Sequence, residues 1–502
     1  MKSNVIKLAG LLFVLTMAVL AFTACAANYD GPYYDTGASP YYPQPQGIIS
    51  PNSQSGVIET PFVDVKTEPV STFSADVDTA SYTLFRKHVQ SGYTWSQMQQ
   101  DYVGGNIRTE EMLNYFDYDY SEPAQGDLFG VGAQIVPCPW NEQSHLLLLG
   151  LKAKDAEKPV GNNLVFLIDI SGSMNSEDKL PLLQKTFSYL VENLTEQDRV
   201  SIVTYASGEH VLLEACPGNQ YTEIMHAINS LGAGGSTNGQ AGLQRAYEIA
   251  ESCYIQGGNN RIILASDGDL NVGISNPTQL KRFVEEKRES GVYLSVLGFG
   301  SGNFRDDNME TLADHGNGVY YYIDGEVEAE KIFGSELCST LTTVANDVKL
   351  QVTFDPELVG KYRLIGYENR RLENDDFEDD TKDAGEVGAG HTLTVCYEIE
   401  LLNSETKAES MVATLAVRWK NPGERESRER EYGIRGESVK SDPDDDALFA
   451  AAVIETAMLL HNSRYRGSAS LEEVLSLLAA MQNKDFYQVE FEQLIKELQK
   501  SR

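Results

Sequence analysis

The sequence predicts an α/β fold: a doubly wound, mainly parallel sheet inserted in a flanking antiparallel β-rich domain, with helices at the C-terminal end. Three observations lead there. Between Leu164 and about Leu341, apolar strand-like runs alternate with segments whose apolar residues recur at helical spacing. On both sides of that stretch the strands alternate polar and apolar residues, as half-exposed antiparallel strands do. After Ser441 the periodicity is helical.

The run Leu164–Met174, LVFLIDISGSM, is the strand on which the inserted unit is centred. Its unbroken apolar stretch suits a strand covered on both faces, in the middle of a parallel sheet. It ends in Asp169, with Ser171 and Ser173 at alternate positions beyond. Open α/β sheets bind ligands in the crevice outside the carboxyl ends of their strands. Asp169, Ser171 and Ser173 thus offer three hard oxygen groups at a crevice mouth, a donor type that suits Mg²⁺ or Mn²⁺ rather than zinc.

At the N-terminus, Lys2 and Lys7 precede an uncharged run from Leu8 to Ala24 that ends Phe22-Thr23-Ala24-Cys25. A short positive region, an apolar stretch and small residues before a cysteine predict a lipoprotein signal peptide over 1–24. Cys25 is then the lipidated residue, and the chain is anchored on the extracytoplasmic face of a bacterial cell membrane. Residues 25–68, rich in Tyr, Pro, Gly, Ser and Gln, read as a flexible tether. In the N-terminal flanking region (69–160), TFSADVDTASYTLFRKHV reads as a strand leading into a helix. Asp76 and Asp78 sit near the join as acids favoured by the helix dipole. Strands follow at 131–136 and 145–151.

The inserted unit (161–343) has strands at 164–169, 199–205, 261–266 and 292–298, with weaker ones near 209–213 and 319–323. Leu180, Leu183, Phe187, Leu190, Val191 and Leu194 mark a helix with Pro181 in its first turn. Further helices fit 221–230, 238–254, 277–290, 306–314 and 326–343. The C-terminal flanking region (344–502) has strands at Val348–Phe354, Thr392–Leu402 and Met411–Lys420. It also carries an acidic, solvated loop at Glu373–Asp383 and amphipathic helices near 445–461, 470–482 and 486–500. Strands on both sides of the insert suggest one sandwich-like domain interrupted by the α/β unit.

A net charge of −34 argues against nucleic acid, or an anionic membrane surface, as the main partner. Beyond Cys25, the cysteines at 138, 216, 253, 338 and 396 are odd in number, widely spaced and without a CxxC pair. They indicate neither a disulfide framework nor a zinc site.

Two later loops join the first. Thr237 lies in GGSTN just before the helix at 238–254, and Asp267 follows the buried strand 261–266 in ASDGD. Alone, Thr237 would be a helix cap and Asp267 a turn residue. Together with Asp169, Ser171 and Ser173 they place five oxygen-bearing side chains on three loops at one sheet edge. No general base accompanies them in an HExxH or GxSxG pattern, and no GK[ST] completes a phosphate loop. Asp267-Gly-Asp269-Leu-Asn271 fails as an EF-hand, with Val272 at its sixth position and Thr278 at its twelfth.

DISGS (169–173), GGST (234–237) and SDGD (266–269) resemble the metal-ion-dependent adhesion site of von Willebrand factor type A domains. TFSADVDTASY, NYFDYDY, NRIILASDGDLNVG, YRLIGYENR and DAGEVGAGH extend the resemblance to bacterial lipoproteins with a central A domain, over nearly all of the chain after the tether. The resemblance implies that Ser171, Ser173 and Thr237 coordinate Mg²⁺ or Mn²⁺ directly, with Asp169 and Asp267 acting directly or through water. It implies that the helix near 326–343 shifts on ligation. It implies a non-enzymatic surface lipoprotein whose metal captures an Asp or Glu carboxylate of a protein partner. The alternatives are a metal-assisted envelope hydrolase or transferase, for which Asp269 is the nearest candidate base, and a regulator of a membrane complex.

Overall fold

The computed structural model describes residues 48–49, 58–100, 107–155, 160–235, 240–268, 277–300, 306–335, 342–402 and 406–501, all within one compact unit, Gly47–Arg502. The predicted signal peptide, Cys25, most of the tether and Cys338 lie outside the described residues.

The N-terminal flank comprises β1 (Ile48–Ile49), β2 (Ile58–Glu59), β3 (Val63–Asp64), β4 (Val70–Ser74), α1 (Ala80–Gln90), α2 (Trp95–Gln100), α3 (Thr109–Asn114), β5 (Phe129–Pro137) and β6 (His145–Ala153). The inserted unit runs through β7 (Asn162–Asp169), α4 (Leu180–Glu192), β8 (Arg199–Tyr205), β9 (Glu209–Pro217), α5 (Tyr221–Asn229) and α6 (Gln240–Ser252). It continues with β10 (Asn259–Ser266), α7 (Pro277–Arg288), β11 (Tyr293–Phe299), α8 (Asp306–His315), β12 (Tyr320–Ile323) and α9 (Glu326–Glu330). The C-terminal flank holds β13 (Thr343–Phe354), β14 (Val359–Ile365), β15 (Gly385–Gly388), β16 (Thr392–Leu401), β17 (Met411–Lys420), β18 (Ser427–Arg435), α10 (Asp445–Leu460), α11 (Leu471–Ala480) and α12 (Phe486–Lys500).

The inserted sheet has the order β12-β11-β10-β7-β8-β9. Every pair is parallel except β8–β9, an antiparallel edge. The apolar run of β7 is buried throughout because both faces are covered. Leu164, Phe166 and Ile168 pack with α4, Phe166 stacking on Phe187 at 4.3 Å, while Val165 and Leu167 pack with α6. From β7 the chain builds outward to β8 on one side and later to β10 on the other. The order therefore reverses beside β7, and a crevice opens at the carboxyl ends of β7 and β10.

Strands from either side of the insert interleave into two five-stranded antiparallel sheets. One contains β15-β13-β17-β18 with β4 on β13; the other runs β3-β14-β16-β6-β5. Neither sheet forms from one flank alone. Phe73, Leu149, Val352, Tyr397 and Leu415 share the core between them.

Several local expectations need correction. The region 326–343 is not one helix: α9 ends at Glu330, a π-helical turn occupies Lys331–Ser335, and Thr343 already starts β13. The helix at 445–461 is not amphipathic, since α10 is buried continuously from Phe449 to Met458. It lies between α1, α3, α11, α12 and side chains of the sheet such as Leu146 and Cys396, and its run of alanines lets these neighbours approach closely. The acidic loop is solvated as expected, with Glu373, Asp375, Glu378 and Asp380 exposed, but cations also tie it down. Lys349 Nζ donates to the carbonyl oxygen of Asp376 at 2.9 Å, and Arg418 pairs with Asp380 at 2.9 Å. Among the described residues, no helix is long and apolar enough to cross a membrane.

Asp76 and Asp78 do not serve the helix dipole either. Both face Arg370, which donates to Asp76 Oδ2 at 2.8 Å and to Asp314 of α8 at 2.8 Å, with Asp78 and Glu310 at 3.5 and 3.4 Å. Asp78 also accepts the backbone N–H of Tyr320 on β12 at 3.0 Å. A second arginine makes the matching join at the other end of β12. Arg86 of α1, 2% exposed, donates to Asp324 at 2.6 Å, to Glu328 of α9 at 2.7 Å, to Glu490 of α12 at 3.0 Å and to the Tyr115 hydroxyl at 2.8 Å. Removing such a cation strands buried carboxylates, which costs far more than a surface pair. Arg86→Ala is expected to destabilise the chain by about 3–5 kcal/mol in urea denaturation, and Arg86→Lys by less.

Candidate metal centre

The loop after β7 carries the first half of the site. Asp169 is fully buried at the strand end, Ser171 is buried and Ser173 is exposed, so the oxygen groups step outward from core to crevice mouth. Asp169 Oδ1 accepts the Ser171 N–H at 2.8 Å, which folds the loop back over the strand end. A single turn of 3₁₀ helix, Gly172–Asn175, then brings the Ser173 hydroxyl to 2.9 Å from that of Ser171.

Asp267 enters from the end of the adjacent strand β10 and is 4% exposed. The preceding Ser266 donates its hydroxyl to Asp169 Oδ2 at 3.3 Å. Asp267 Oδ1 is buried without a hydrogen-bond partner. Oδ2 accepts the ammonium of Lys179 at 2.8 Å, and Lys179 also donates to the Ser173 carbonyl at 2.9 Å. The stem of Lys179 lies against Gly300, which has a φ of +80° and whose place a Cβ would contest with that stem.

Asp169, Ser171, Ser173 and Asp267 thus lie at one crevice mouth. Thr237 and Asp269 lie outside the described residues. The loop leading to Thr237 is fastened to the serine loop as far as Gly235. Gly234 N donates to Ile170 O at 2.8 Å and Gly172 N to Gly235 O at 3.2 Å.

Two residues escaped the sequence reading. Ser266 resembles any strand-end serine. Lys179 left a faint signal: it stands at the N-terminal end of α4, where the helix dipole disfavours a cation, so an acid elsewhere must hold it.

The cluster fits a hard divalent cation. Its donors are hydroxyl and carboxylate oxygens, one buried carboxylate oxygen lacks a partner, and an ammonium already fills part of the space with positive charge. Burial pushes the Asp169 carboxyl up to about 6 from an ordinary 3.8, opposed by the Ser171 hydrogen bonds and reinforced by the nearby Asp267 charge. Tyr205, paired with Asp169 across β7–β8, is also held well above its usual range, chiefly by burial.

Comparison with known proteins shows what the chain is similar to. Residues 163–334 match the family model described as von Willebrand factor type A domain, residues 50–148 that described as von Willebrand factor, and residues 339–500 that described as Uncharacterized protein YfbK, C-terminal. The chain is 39% identical over 464 residues to the Escherichia coli (strain K12) protein described as Uncharacterized protein YfbK, covering 87% of this chain and 79% of that protein. It is 28% identical over 196 residues to inter-alpha-trypsin inhibitor heavy chain H3 of Mesocricetus auratus, covering 37% of this chain but 22% of that protein. A solved structure of a von Willebrand factor type A protein from Catenulispora acidiphila aligns with a TM-score of 0.43 and 15% identity, over 72% of this chain and 88% of that one.

A raised carboxyl means that the folded state holds its proton more tightly than the unfolded one. That contribution to stability is full below about pH 4 and is lost as pH rises through about 6. In chelator at pH 7, Asp169→Asn is expected to stabilise the chain by about 1–3 kcal/mol and to flatten this part of the pH–stability profile. Thermal unfolding across pH 4–8 measures both effects.

Proposed function

Since the chain belongs to the family of Escherichia coli YfbK and contains a von Willebrand factor type A domain, we propose that it works by binding another protein rather than by catalysis. The observation that carries this reading is the convergence of Asp169, Ser171, Ser173 and Asp267 at the mouth between β7 and β10, with a buried carboxylate oxygen of Asp267 left without a partner. Ser171, Ser173 and Thr237 would hold Mg²⁺ or Mn²⁺ directly, with Asp169 and Asp267 directly or through water. The bound ion supplies an electrophilic position for an anionic oxygen.

The chain's own residues do the positioning. Asp169 aligns the serine loop through the Ser171 N–H, and Ser266 steadies the other Asp169 oxygen. Ser173, exposed at the rim, faces the incoming ligand. Neutral hydroxyl donors leave most of the cation's charge uncancelled, which favours a carboxylate from an Asp or Glu of the partner. Partner surface around that carboxylate then sets specificity. The similarity to an inter-alpha-trypsin inhibitor heavy chain, over 196 residues, is in keeping with an interaction role.

On the same reading Cys25 carries a lipid, and the tether presents the binding face outside the cell membrane. A metal-assisted hydrolase is the weaker reading. The ionisable newcomers at the cluster are Lys179, engaged with Asp267, and Tyr205, held well above its usual range chiefly by burial.

Pull-down from an envelope extract tests the proposal. A partner is expected to be retained in Mg²⁺ and lost both in EDTA and with Asp169→Ala, while circular dichroism of the variant stays native. A partner held equally well in EDTA would overturn it.

A further inference from the structure

Far from the β7 crevice, a second group of ligand-type side chains meets on the seam between the inserted unit and the flanking sheets. Glu285 comes from α7, His315 from the last residue of α8, and Asp383 from the loop before β15. All three are half-buried, and one ligand atom from each lies within 4.8 Å of the others. We propose that Glu285, His315 and Asp383 form a zinc site that staples the α7–α8 pair to the flanking domain.

Three observations carry this. First, His315 Nδ1 stands 3.5 Å from Glu285 Oε1 and 3.6 Å from Asp383 Oδ2. Those gaps exceed a normal N–H···O hydrogen bond. They are close to the separation between ligands on a tetrahedral ion, about 3.3 Å for metal–ligand bonds of about 2.0–2.1 Å. Second, Nδ1 is sealed from solvent and has no hydrogen-bond partner, although it points between two carboxylates. Third, Asp383 is held in place by a neighbouring cation: Arg288 donates to both its oxygens at 2.8 and 2.7 Å, Oδ2 included, and to Asn317 Oδ1 at 3.1 Å. That is the outer-shell fastening that orients a metal-binding carboxylate.

The donor set separates this site from the one at β7. One imidazole nitrogen and two carboxylate oxygens, with a fourth position open to water, suit zinc. An oxygen-only cluster does not. The two sites therefore answer to different ions, and the seam site owes nothing to the serine loop.

The test uses the full chain, stripped with chelator and titrated with zinc against a chromophoric competitor. Wild type, Asp169→Ala, His315→Ala and Glu285→Gln are compared. A zinc ion is expected to bind in the Asp169→Ala protein, and to lose more than about tenfold in affinity in His315→Ala and in Glu285→Gln. Cobalt(II) substituted at the seam should give the visible absorption of a four-coordinate ion in Asp169→Ala and not in His315→Ala. Zinc should raise the melting temperature of wild type and leave His315→Ala unmoved. If His315→Ala takes up zinc as well as wild type does, or if Asp169→Ala takes up none, the three side chains are only an ion-paired cluster and the inference fails.

Discussion

Two arginines, Arg86 buried and Arg370 half-buried, hold the architecture together, because each lies where the inserted unit and both flanks meet. Arg86 reaches from α1 to the end of β12, to α9 and to α12; Arg370, in the loop after β14, reaches Asp76 and the last turn of α8. A guanidinium presents five donors in a rigid fork, so one side chain can satisfy carboxylates arriving from several elements at once. The buried acids of these knots, Asp76, Asp78, Glu310, Asp324 and Glu328, would be costly to bury alone. The joins are therefore mutually dependent: the flanks supply cations and anions that the insert needs, and the reverse.

This coupling has a bearing on the crevice. β7 and β10, which carry the serine loop and Asp267, belong to the same sheet whose far strand β12 is pinned by Asp78 at one end and followed by Asp324 at the other. An A-type unit fixed at that edge can present its carboxyl-end loops on a rigid frame. A site that must hold several oxygens within narrow limits gains from such support. Asp169 stands in that crevice with its carboxyl pushed up to about 6 by burial, a perturbation of the kind that clusters at functional sites.

Much of this was legible in the chain. LVFLID announced a strand covered on both faces, and the interrupted antiparallel pattern announced two flanks that close on each other. Both signals are periodicities, which survive without knowledge of neighbours. What stayed hidden depended on partners remote in sequence. Asp76 and Asp78 looked like helix acids because nothing local points to Arg370, some 290 residues on. α10 looked amphipathic because Glu455 and Thr456 are polar, yet both are buried, and the Glu455 carboxyl is pushed up to about 8 by that burial. Lys179 could not be matched with Asp267 until two strand ends were brought side by side. That Asp169, Ser171, Ser173 and Asp267 meet at one sheet edge was readable from motif; the ammonium of Lys179 beside them was not.

The interleaving of the flanks also governs how the chain can be made. Tyr397 hydrogen-bonds Ser71 across 326 residues of sequence, and β4 waits for β13 as β6 waits for β16. Contacts this distant slow the final closure and leave unpaired strands exposed to wrong neighbours. The A-type unit, whose sheet is built from one continuous stretch of chain, can thus assemble first as a scaffold, while the sandwich around it is completed only once β13 to β18 have joined β4 to β6.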